Sequence, residues 1–220
     1  MLAVLLFGPP GAGKGTQAAA VAAASGMPHI ATGDMFRAHL RAGTELGRRA
    51  RAYMDEGELV PDDVTIGMLA DRISQPDAVA GFVLDGYPRN LDQAGALDRM
   101  LAERGAKVAG VLDMQVPEDD LVRRLAGRLV CRAASHPYHV TEAPPAVPGV
   151  CDIDGSELYQ RDDDREDVAR SRVALFERET SPVREHYRAL GTPVVVIDAA
   201  RSPEQVEAEL VNAVHALRQP

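Results

Sequence analysis

The sequence predicts an α/β fold, a doubly wound parallel sheet of about five strands flanked by helices, with two mobile segments inserted into it. Three observations support this prediction. Apolar runs that are typical of buried strands alternate with helical patterning along the chain. The first such run leads directly into a glycine-rich loop and then a helix. Two long stretches break the alternation because they are rich in glycine or proline.

The first predicted strand is LAVLLF, residues 2–7. No basic residue precedes this apolar run and Gly-Pro-Pro follows it, so it is too short and wrongly flanked for a signal peptide. Alanine-rich sequence after the loop predicts a helix, from about residue 14 to residue 25, that packs closely on the sheet. Three later strands are predicted in FVLD at 82–85, VAGVLDM at 108–114 and VVVID at 194–198.

Helix starts and breaker residues divide the rest of the chain. Pro117 and the three acidic residues after it open one helix, and Ser202, Pro203 and Glu204 cap the last one. Residues 31–60 hold short helical pieces punctuated by glycines, whereas 127–164 hold too many prolines and glycines for a helix. A structureless loop of that length would be unusual, so we interpret the second stretch as a small subdomain or lid. The remaining residues, 1–30, 61–126 and 165–220, form the predicted core.

Composition limits the possible functions. The chain has 220 residues, 45% of them hydrophobic, and a formal net charge of -9. That charge argues against non-specific nucleic-acid binding, and no run is apolar enough to predict a membrane span. Most of the 24 basic residues are arginines, which suit a small phosphorylated substrate in a focused cleft. Two cysteines without an export signal imply a reducing compartment, which we take to be the cytoplasm.

The glycine-rich loop GPPGAGKGT, residues 8–16, fits the phosphate-loop pattern G-x-x-x-x-G-K. Backbone N–H groups in such a P-loop face an oxyanion, and Lys14 would reach the β- and γ-phosphates of a nucleotide. Gly15 stands where most such loops carry a metal-contacting serine or threonine, and Thr16 arrives one residue late. A plain glycine turn before a helix is the alternative, but it does not account for the full spacing after a strand.

The stretch LDGYPRN, residues 84–90, supplies a second candidate site element at the end of a core strand. Asp85 lies where such folds place a carboxylate that orients metal-bound water, so it is a candidate for organising Mg²⁺. A helix or turn cap is the alternative role for Asp85. Gly86 and Pro88 would shape a tight turn that presents Arg89 to the same crevice as a phosphate clamp rather than as a surface charge.

Five motifs together resemble the adenylate kinase family in its bacterial long-lid form: GPPGAGKGT, ATGDMFR, ELVPD, LDGYPRN and YQRDDD. The resemblance covers nearly the whole chain, with 31–60 as the AMP-binding segment and 127–164 as the lid. It implies reversible Mg²⁺-dependent phosphoryl transfer from ATP to AMP, giving two ADP, by a monomer. The G-K-G-T ending is usual in this family, which implies that the nucleotide phosphates and water chiefly hold the Mg²⁺, positioned in part by Asp85.

The resemblance also implies site residues. Arg37 and Arg89 can pair with the monophosphate, while Thr32 and the Gln93 amide can read adenine edges; Thr32 could alternatively cap a helix that starts near Asp34. The implied AMP site comprises Thr32, Gly33, Arg37, Glu58, Leu59, Val60, Gly86, Arg89, Gln93, Arg161 and Arg172. The implied ATP site comprises Gly11, Ala12, Gly13, Lys14, Gly15, Thr16, Arg124, Arg128, Tyr138 and Arg201. The implied catalytic set is Lys14, Asp85, Arg89, Arg124, Arg128, Arg161 and Arg172.

Four arginines of the implied catalytic set come from the lid and its borders. Arg124 and Arg128 are four residues apart, which predicts that they share one face at the end of a helix entering the lid. Arg161 lies at a predicted hinge and Arg172 follows it by 11 residues, close to three helical turns. We expect Asp163 and Asp164 to hold these arginines in place, and Arg123 and Arg170 to lie on a solvated face.

The lid contains a candidate zinc site. Cys131, Cys151 and Asp154 occupy the first, third and fourth ligand positions of zinc-bearing relatives, but Ala134 stands at the second. His136, two residues later, completes a set of four donors that suits tetrahedral zinc. A metal-free lid with an ordinary hydrogen-bond network and a disulfide formed on oxidation are the alternatives.

Two other functions compete with this interpretation. A kinase for UMP or CMP would share the P-loop and the arginines, although the long lid and Thr32 favour AMP. A nucleotide-dependent regulator or binding module could keep the site without turnover. Pure binding does not need so many converging charges, so the arginine set favours an enzyme.

Overall fold

The computed structural model describes residues 1–218, which form eight strands and nine α-helices within that range. The strands are β1 Leu2–Phe7, β2 His29–Ala31, β3 Gly81–Asp85, β4 Val108–Gln115, β5 Arg128–Cys131, β6 Pro137–His139, β7 Leu158–Tyr159 and β8 Val194–Asp198. The helices are α1 Lys14–Ser25, α2 Thr32–Arg41, α3 Glu45–Asp55, α4 Asp62–Ile73, α5 Leu91–Ala102, α6 Glu118–Ala126, α7 Glu166–Leu175, α8 Ser181–Ala189 and α9 Pro203–Leu217. A π-helical segment, Phe176–Thr180, joins α7 to α8.

The core sheet has five parallel strands in the order β2-β3-β1-β4-β8, which confirms the predicted sheet. Four strands lie on the predicted apolar runs. β2 is the fifth, and its three residues were too few to show a periodicity. Helices cover both faces, and the strands β1 and β3 are therefore nearly continuous in their apolar character.

Each face of the sheet has its own apolar core. On one face Leu5 and Leu84 pack with Leu97 of α5 and Tyr187 of α8. On the other face Val4, Leu6 and Leu112 pack with residues of α1 and α9, including Val21 and Leu210. The two clusters hold β1 and β3 in place. Both strands end at the same edge of the sheet, and the P-loop and Asp85 lie at that edge.

The glycines of the P-loop are required by close contacts and backbone angles. A Cβ on Gly8 would lie 2.5 Å from the carbonyl oxygen of Met114 in β4. Gly13 precedes α1 with φ of 89°, a left-handed conformation that favours glycine. Glycine at these two positions therefore lets the loop lie against β4 and turn into α1.

The start of α2 differs from the prediction. α2 begins at Thr32 itself, Ala31 is its N-cap residue, and no side chain caps it. The alternative that Thr32 caps this helix is therefore wrong. By contrast, the predicted starts of α6 after Pro117 and of α9 at Ser202 are confirmed, the latter with a capping box between Ser202 and Gln205.

The lid segment contains a small antiparallel sheet in the order β6-β5-β7. Arg128 is the first residue of β5, and α6 ends at Ala126. The prediction that Arg124 and Arg128 share a helix face is therefore wrong, although both arginines line the same cavity. The proposed boundaries of the core, the AMP-binding segment and the lid, and the mobility of the two insertions, stay predictions.

Leu97 tests the packing of the core. Its side chain is fully buried between α5 and the sheet, so Leu97→Ala is expected to lower the free energy of unfolding by about 2–5 kcal/mol, measured by urea denaturation. Leu190→Ala is the matched control because Leu190 is 60% exposed, and its cost should stay below about 0.5 kcal/mol. Equal losses in the two variants would contradict this packing.

Candidate functional site

Lys14 lies folded over the P-loop. Its Nζ donates hydrogen bonds to the carbonyl oxygens of Gly8, at 2.7 Å, and Pro9, at 2.9 Å. Burial lowers the pKa of Lys14 to about 8, which Asp85 opposes and the neighbouring Arg89 reinforces. The ammonium group therefore lies where an additional negative charge would stabilise it.

Asp85 ends β3 beside the P-loop because β3 pairs in parallel with β1, where Leu6 is its register partner. Burial by itself would raise the pKa of Asp85. The approach of His29, whose Nε2 lies 3.6 Å from an Asp85 oxygen, and the charge of Lys14 outweigh burial and hold the pKa below its usual value. Asp85 is thus an ionised carboxylate at neutral pH.

Two adjoining cavities contain the nucleotide-site residues that the resemblance implied. The larger, of about 940 Å³, is lined by the complete predicted ATP set: Gly11, Ala12, Gly13, Lys14, Gly15, Thr16, Arg124, Arg128, Tyr138 and Arg201. The smaller, of about 70 Å³, is lined by Thr32, Gly33, Arg37, Glu58, Leu59, Val60, Gly86, Arg89, Gln93 and Arg172 of the predicted AMP set. Arg161 and Asp85 line the larger cavity. The structure brings these residues together, while their individual roles stay predictions.

Guanidinium groups crowd the junction of the two cavities. Burial, reinforced by the nearby charge of Arg172, lowers the pKa of Arg89 to about 10. Burial also lowers the pKa of Arg161 to about 10, with Arg37 and Arg128 as the next contributors. Like charges at short range in a partly buried site repel one another, so the cluster is suited to a polyanion.

Buried carboxylates hold part of this cluster together. Asp164 is fully buried and accepts hydrogen bonds from Arg128 Nε at 2.8 Å and Arg172 Nη1 at 3.1 Å. An Asp163 oxygen lies 3.0 Å from the same Arg172 nitrogen. The prediction that these two aspartates hold the arginines is confirmed for Arg128 and Arg172. As expected, Arg123 and Arg170 are largely exposed, and they pair with surface acids.

Backbone and side-chain hydrogen bonds fix the residues around the smaller cavity. Thr32 Oγ1 donates to the carbonyl oxygen of Gly86 at 2.9 Å, and Arg89 Nε donates to the same carbonyl at 2.8 Å. From the π-helical segment, Thr180 Oγ1 donates to the Arg89 carbonyl at 2.7 Å. Gln93 donates through Nε2 to Asp62 Oδ1 at 2.7 Å.

Sequence reasoning missed Thr180 and Asp62. Asp62 belongs to the quoted motif ELVPD, which was therefore a usable signal. Thr180 is 91 residues from its partner Arg89, and no local pattern reports such a contact.

The four candidate metal ligands of the lid lie together, with one donor atom of each within 4.8 Å of the others. His136 Nδ1 lies 3.3 Å from Cys131 Sγ, 3.4 Å from Cys151 Sγ and 3.2 Å from Asp154 Oδ2. Tetrahedral zinc with bonds of about 2.0–2.3 Å separates its ligands by roughly 3.3–3.8 Å, so these residues fit the ion. Both cysteines are free thiols rather than a disulfide.

Backbone donors favour the thiolate form of Cys131. Ala134 and His136 each donate a backbone N–H to Cys131 Sγ at 3.3 Å. Burial would raise the pKa of the Cys131 thiol, but the hydrogen bonds that it accepts, first that from the Ala134 N–H and also that from the His136 N–H, lower the pKa below its usual value. Ala134 thus supports Cys131, one of the candidate ligands, through its backbone.

The fold and the site define a class of protein. A P-loop at the end of β1, an ionised aspartate at the end of the neighbouring strand and a ring of guanidinium groups form a site for nucleotide phosphates. This is the arrangement of a P-loop phosphotransferase.

Comparison with known proteins narrows the class to one family. The family model described as adenylate kinase matches residues 6–192. The adenylate kinase of Streptomyces griseus is 55% identical over 214 residues, covering 97% of each chain. The adenylate kinase of Carboxydothermus hydrogenoformans is 49% identical, covering 96% of this chain and 98% of its own. The chain therefore belongs to the adenylate kinase family, which confirms the predicted resemblance. Within residues 1–218, no helix has the length and apolar character needed to cross a membrane.

Removal of the Asp164 carboxylate tests how the arginines are held. Asp164→Ala leaves Arg128 and Arg172 without their shared partner, so the free energy of unfolding should fall by about 3–5 kcal/mol in urea denaturation. Asp162→Ala is the matched control because Asp162 is exposed two residues away. If both variants unfold at the wild-type midpoint, Asp164 does not hold the cluster.

Proposed function

We propose that this protein transfers the terminal phosphoryl group of Mg²⁺-bound ATP to AMP, giving two ADP, and that the reverse reaction uses the same site. One observation carries the proposal. Two cavities of unequal size adjoin, and Arg37, Arg89 and Arg172 line both of them. Arginines at such a junction can bind the phosphates of two nucleotides at once.

In the proposed reaction the larger cavity receives ATP. P-loop N–H groups and Lys14 bind its β- and γ-phosphates, and Arg124 and Arg128 approach from the lid side. Mg²⁺ bound with ATP would neutralise phosphate charge. Asp85 would hold that ion through water, a role that fits a buried, ionised carboxylate beside the P-loop.

In this proposal AMP binds with its base at the smaller cavity and its phosphate at the junction with the larger one. Arg37 and Arg89 bind the monophosphate, and Thr32 and Gln93 lie near the base. Arg161 and Arg172 then stabilise charge on the oxygens of the transferring group. One well-placed arginine can contribute roughly 10³–10⁵ in rate to phosphoryl transfer. No covalent enzyme intermediate is needed, because positioning and electrostatics supply the catalysis.

Exclusion of water gives the two inserted segments a role. Water competes with AMP as the phosphoryl acceptor, so segments that close only around both nucleotides would suppress ATP hydrolysis. His136 and Tyr138 of the lid line the larger cavity and would form part of its cover.

Product analysis tests the proposed reaction. Purified protein is incubated with MgATP and AMP, UMP or CMP, and the nucleotides are then separated. We expect ADP from ATP and AMP at a far higher rate than any product from the pyrimidine monophosphates. Preferential turnover of UMP or CMP would assign the chain to another substrate, and negligible turnover of all three would indicate a binding module.

Lys14→Ala tests the P-loop in the same assay. Loss of a charge that binds the transferring phosphates should lower kcat/KM by at least about 10²–10³-fold. Lys107→Ala is the matched control because Lys107 is exposed and lines neither cavity. The kcat/KM of this variant should equal that of wild type. Unaltered turnover in a folded Lys14→Ala protein would contradict the assigned role.

We also propose that Cys131, His136, Cys151 and Asp154 bind a structural zinc ion. The proposal is supported by the short distances among their donor atoms and by the N–H groups that favour the Cys131 thiolate. Such an ion would link the turn after β5 to the turn before β7, which otherwise share a small apolar cluster.

Metal analysis tests the zinc proposal. We expect about one zinc ion per purified chain, and a lower melting temperature after removal by a chelator, because the ion binds only the folded lid. His136→Ala should lose zinc, whereas His215→Ala, at an exposed position on α9, should retain it. Less than about a tenth of a zinc per wild-type chain, with no rise in melting temperature on adding zinc, would contradict the proposal.

A further inference from the structure

The side-chain amide of Gln93 is held by two hydrogen-bond partners, one that can only donate and one that can only accept. The backbone N–H of Arg89 donates to Gln93 Oε1 at 2.8 Å, and an N–H group can only donate. Gln93 Nε2 donates to Asp62 Oδ1 at 2.7 Å, and a carboxylate can only accept. Gln93 is 2% exposed. The two partners therefore determine which end of the amide is oxygen and which is nitrogen.

Asp62 is itself held by the side-chain amide of Asn90, whose orientation is also determined by its hydrogen-bond partners. Asn90 Oδ1 accepts the backbone N–H of Gln93 at 2.8 Å as the N-cap of α5. Its Nδ2 must therefore point the other way, and it donates to both oxygens of Asp62 at 3.1 Å. Asp62 opens α4, so this network joins the starts of two helices beside the smaller cavity.

We propose that Asp62 is a specificity-determining positioning residue, which holds the Gln93 amide in the orientation that reads a 6-aminopurine and rejects a 6-oxopurine. This inference rests on the proposed AMP site. Adenine presents a donor at its 6-amino group and an acceptor at N1. A 6-oxopurine such as hypoxanthine presents the reverse, an acceptor at O6 and a donor at N1.

The free hydrogen-bonding capacity of Gln93 matches adenine. After its two protein contacts, Gln93 keeps one lone pair on Oε1 and one hydrogen on Nε2. Oε1 can accept from the 6-amino group while Nε2 donates to N1. To bind a 6-oxopurine in the same way, the amide would have to rotate by half a turn. That rotation would place Oε1 against the Asp62 carboxylate and Nε2 against the Arg89 N–H, so both contacts become repulsive.

The test is a comparison of AMP with IMP, which differ at positions 1 and 6 of the base. Asp62→Asn replaces the fixed acceptor with a group that can also donate, so a rotated Gln93 gains a partner there. We expect the ratio of kcat/KM for AMP to kcat/KM for IMP to fall by about tenfold to a hundredfold. Asp63→Asn, at the adjacent exposed position of α4, is the matched control and should keep the wild-type ratio.

The ratio separates positioning from a general structural effect. A variant that merely loosens the site lowers both kcat/KM values together and leaves the ratio unchanged, which would overturn the inference. In a Gln93→Ala background, Asp62→Asn should no longer alter the ratio, because Asp62 acts through the amide. Asp62→Ser, whose hydroxyl can donate or accept, serves the same comparison should Asp62→Asn not fold.

The outcomes also separate this inference from the proposed function. Absence of AMP turnover by the wild-type protein would overturn the proposed function and the inference with it. Wild-type turnover of AMP with an unchanged AMP-to-IMP ratio in Asp62→Asn would overturn the inference alone. A reduced ratio that depends on Gln93 would support both.

Discussion

The site depends on holding like charges close together. Burial and mutual repulsion lower the pKa of Arg89 and Arg161, which shows that the cluster is electrostatically strained. The fully buried Asp164 offsets part of this strain by binding two of the arginines. A polyanion that enters the cavities would relieve the remainder. A chain with a net charge of -9 can therefore still bind phosphates, because its arginines are concentrated locally.

The parallel sheet makes this concentration possible. Strands β1 and β3 are neighbours and end at the same edge, so the P-loop and Asp85 meet there although 71 residues separate Lys14 from Asp85. The arginines come from several elements: Arg37 lies on α2, Arg89 follows β3, and Arg172 lies on α7, while Arg128 and Arg161 border the lid sheet. The sheet that carries the P-loop and Asp85 is packed by the two large apolar clusters, whereas Arg37 and Arg128 lie on segments with smaller apolar clusters of their own. That difference in packing is what the proposed closure around two nucleotides requires.

Sequence alone predicted the core strands well because strands buried on both faces are continuous apolar runs. It missed β2 and the lid sheet, whose strands of two to four residues show no period. It also placed Arg128 on the helix before the lid. That inference rested on a spacing of four residues, which does not by itself show that both residues lie on one helix. Motifs identified the residues that line the cavities. The partners that orient them, such as Thr180 for Arg89, lie far away in sequence and depend on the tertiary fold.

Gly15 stands where most P-loops carry a metal-contacting serine or threonine, and packing does not require a glycine there. A Cβ on Gly11 would lie 2.8 Å from the Leu121 carbonyl oxygen, whereas a Cβ on Gly15 would meet no protein atom within 4 Å. Packing therefore requires glycine at 11 but not at 15, where a side chain would enter open space. In the proposed reaction a metal-contacting hydroxyl is dispensable there, because Asp85 already supplies an ionised oxygen beside Lys14. In that proposal the ionised Asp85 carboxylate takes the place of the missing hydroxyl.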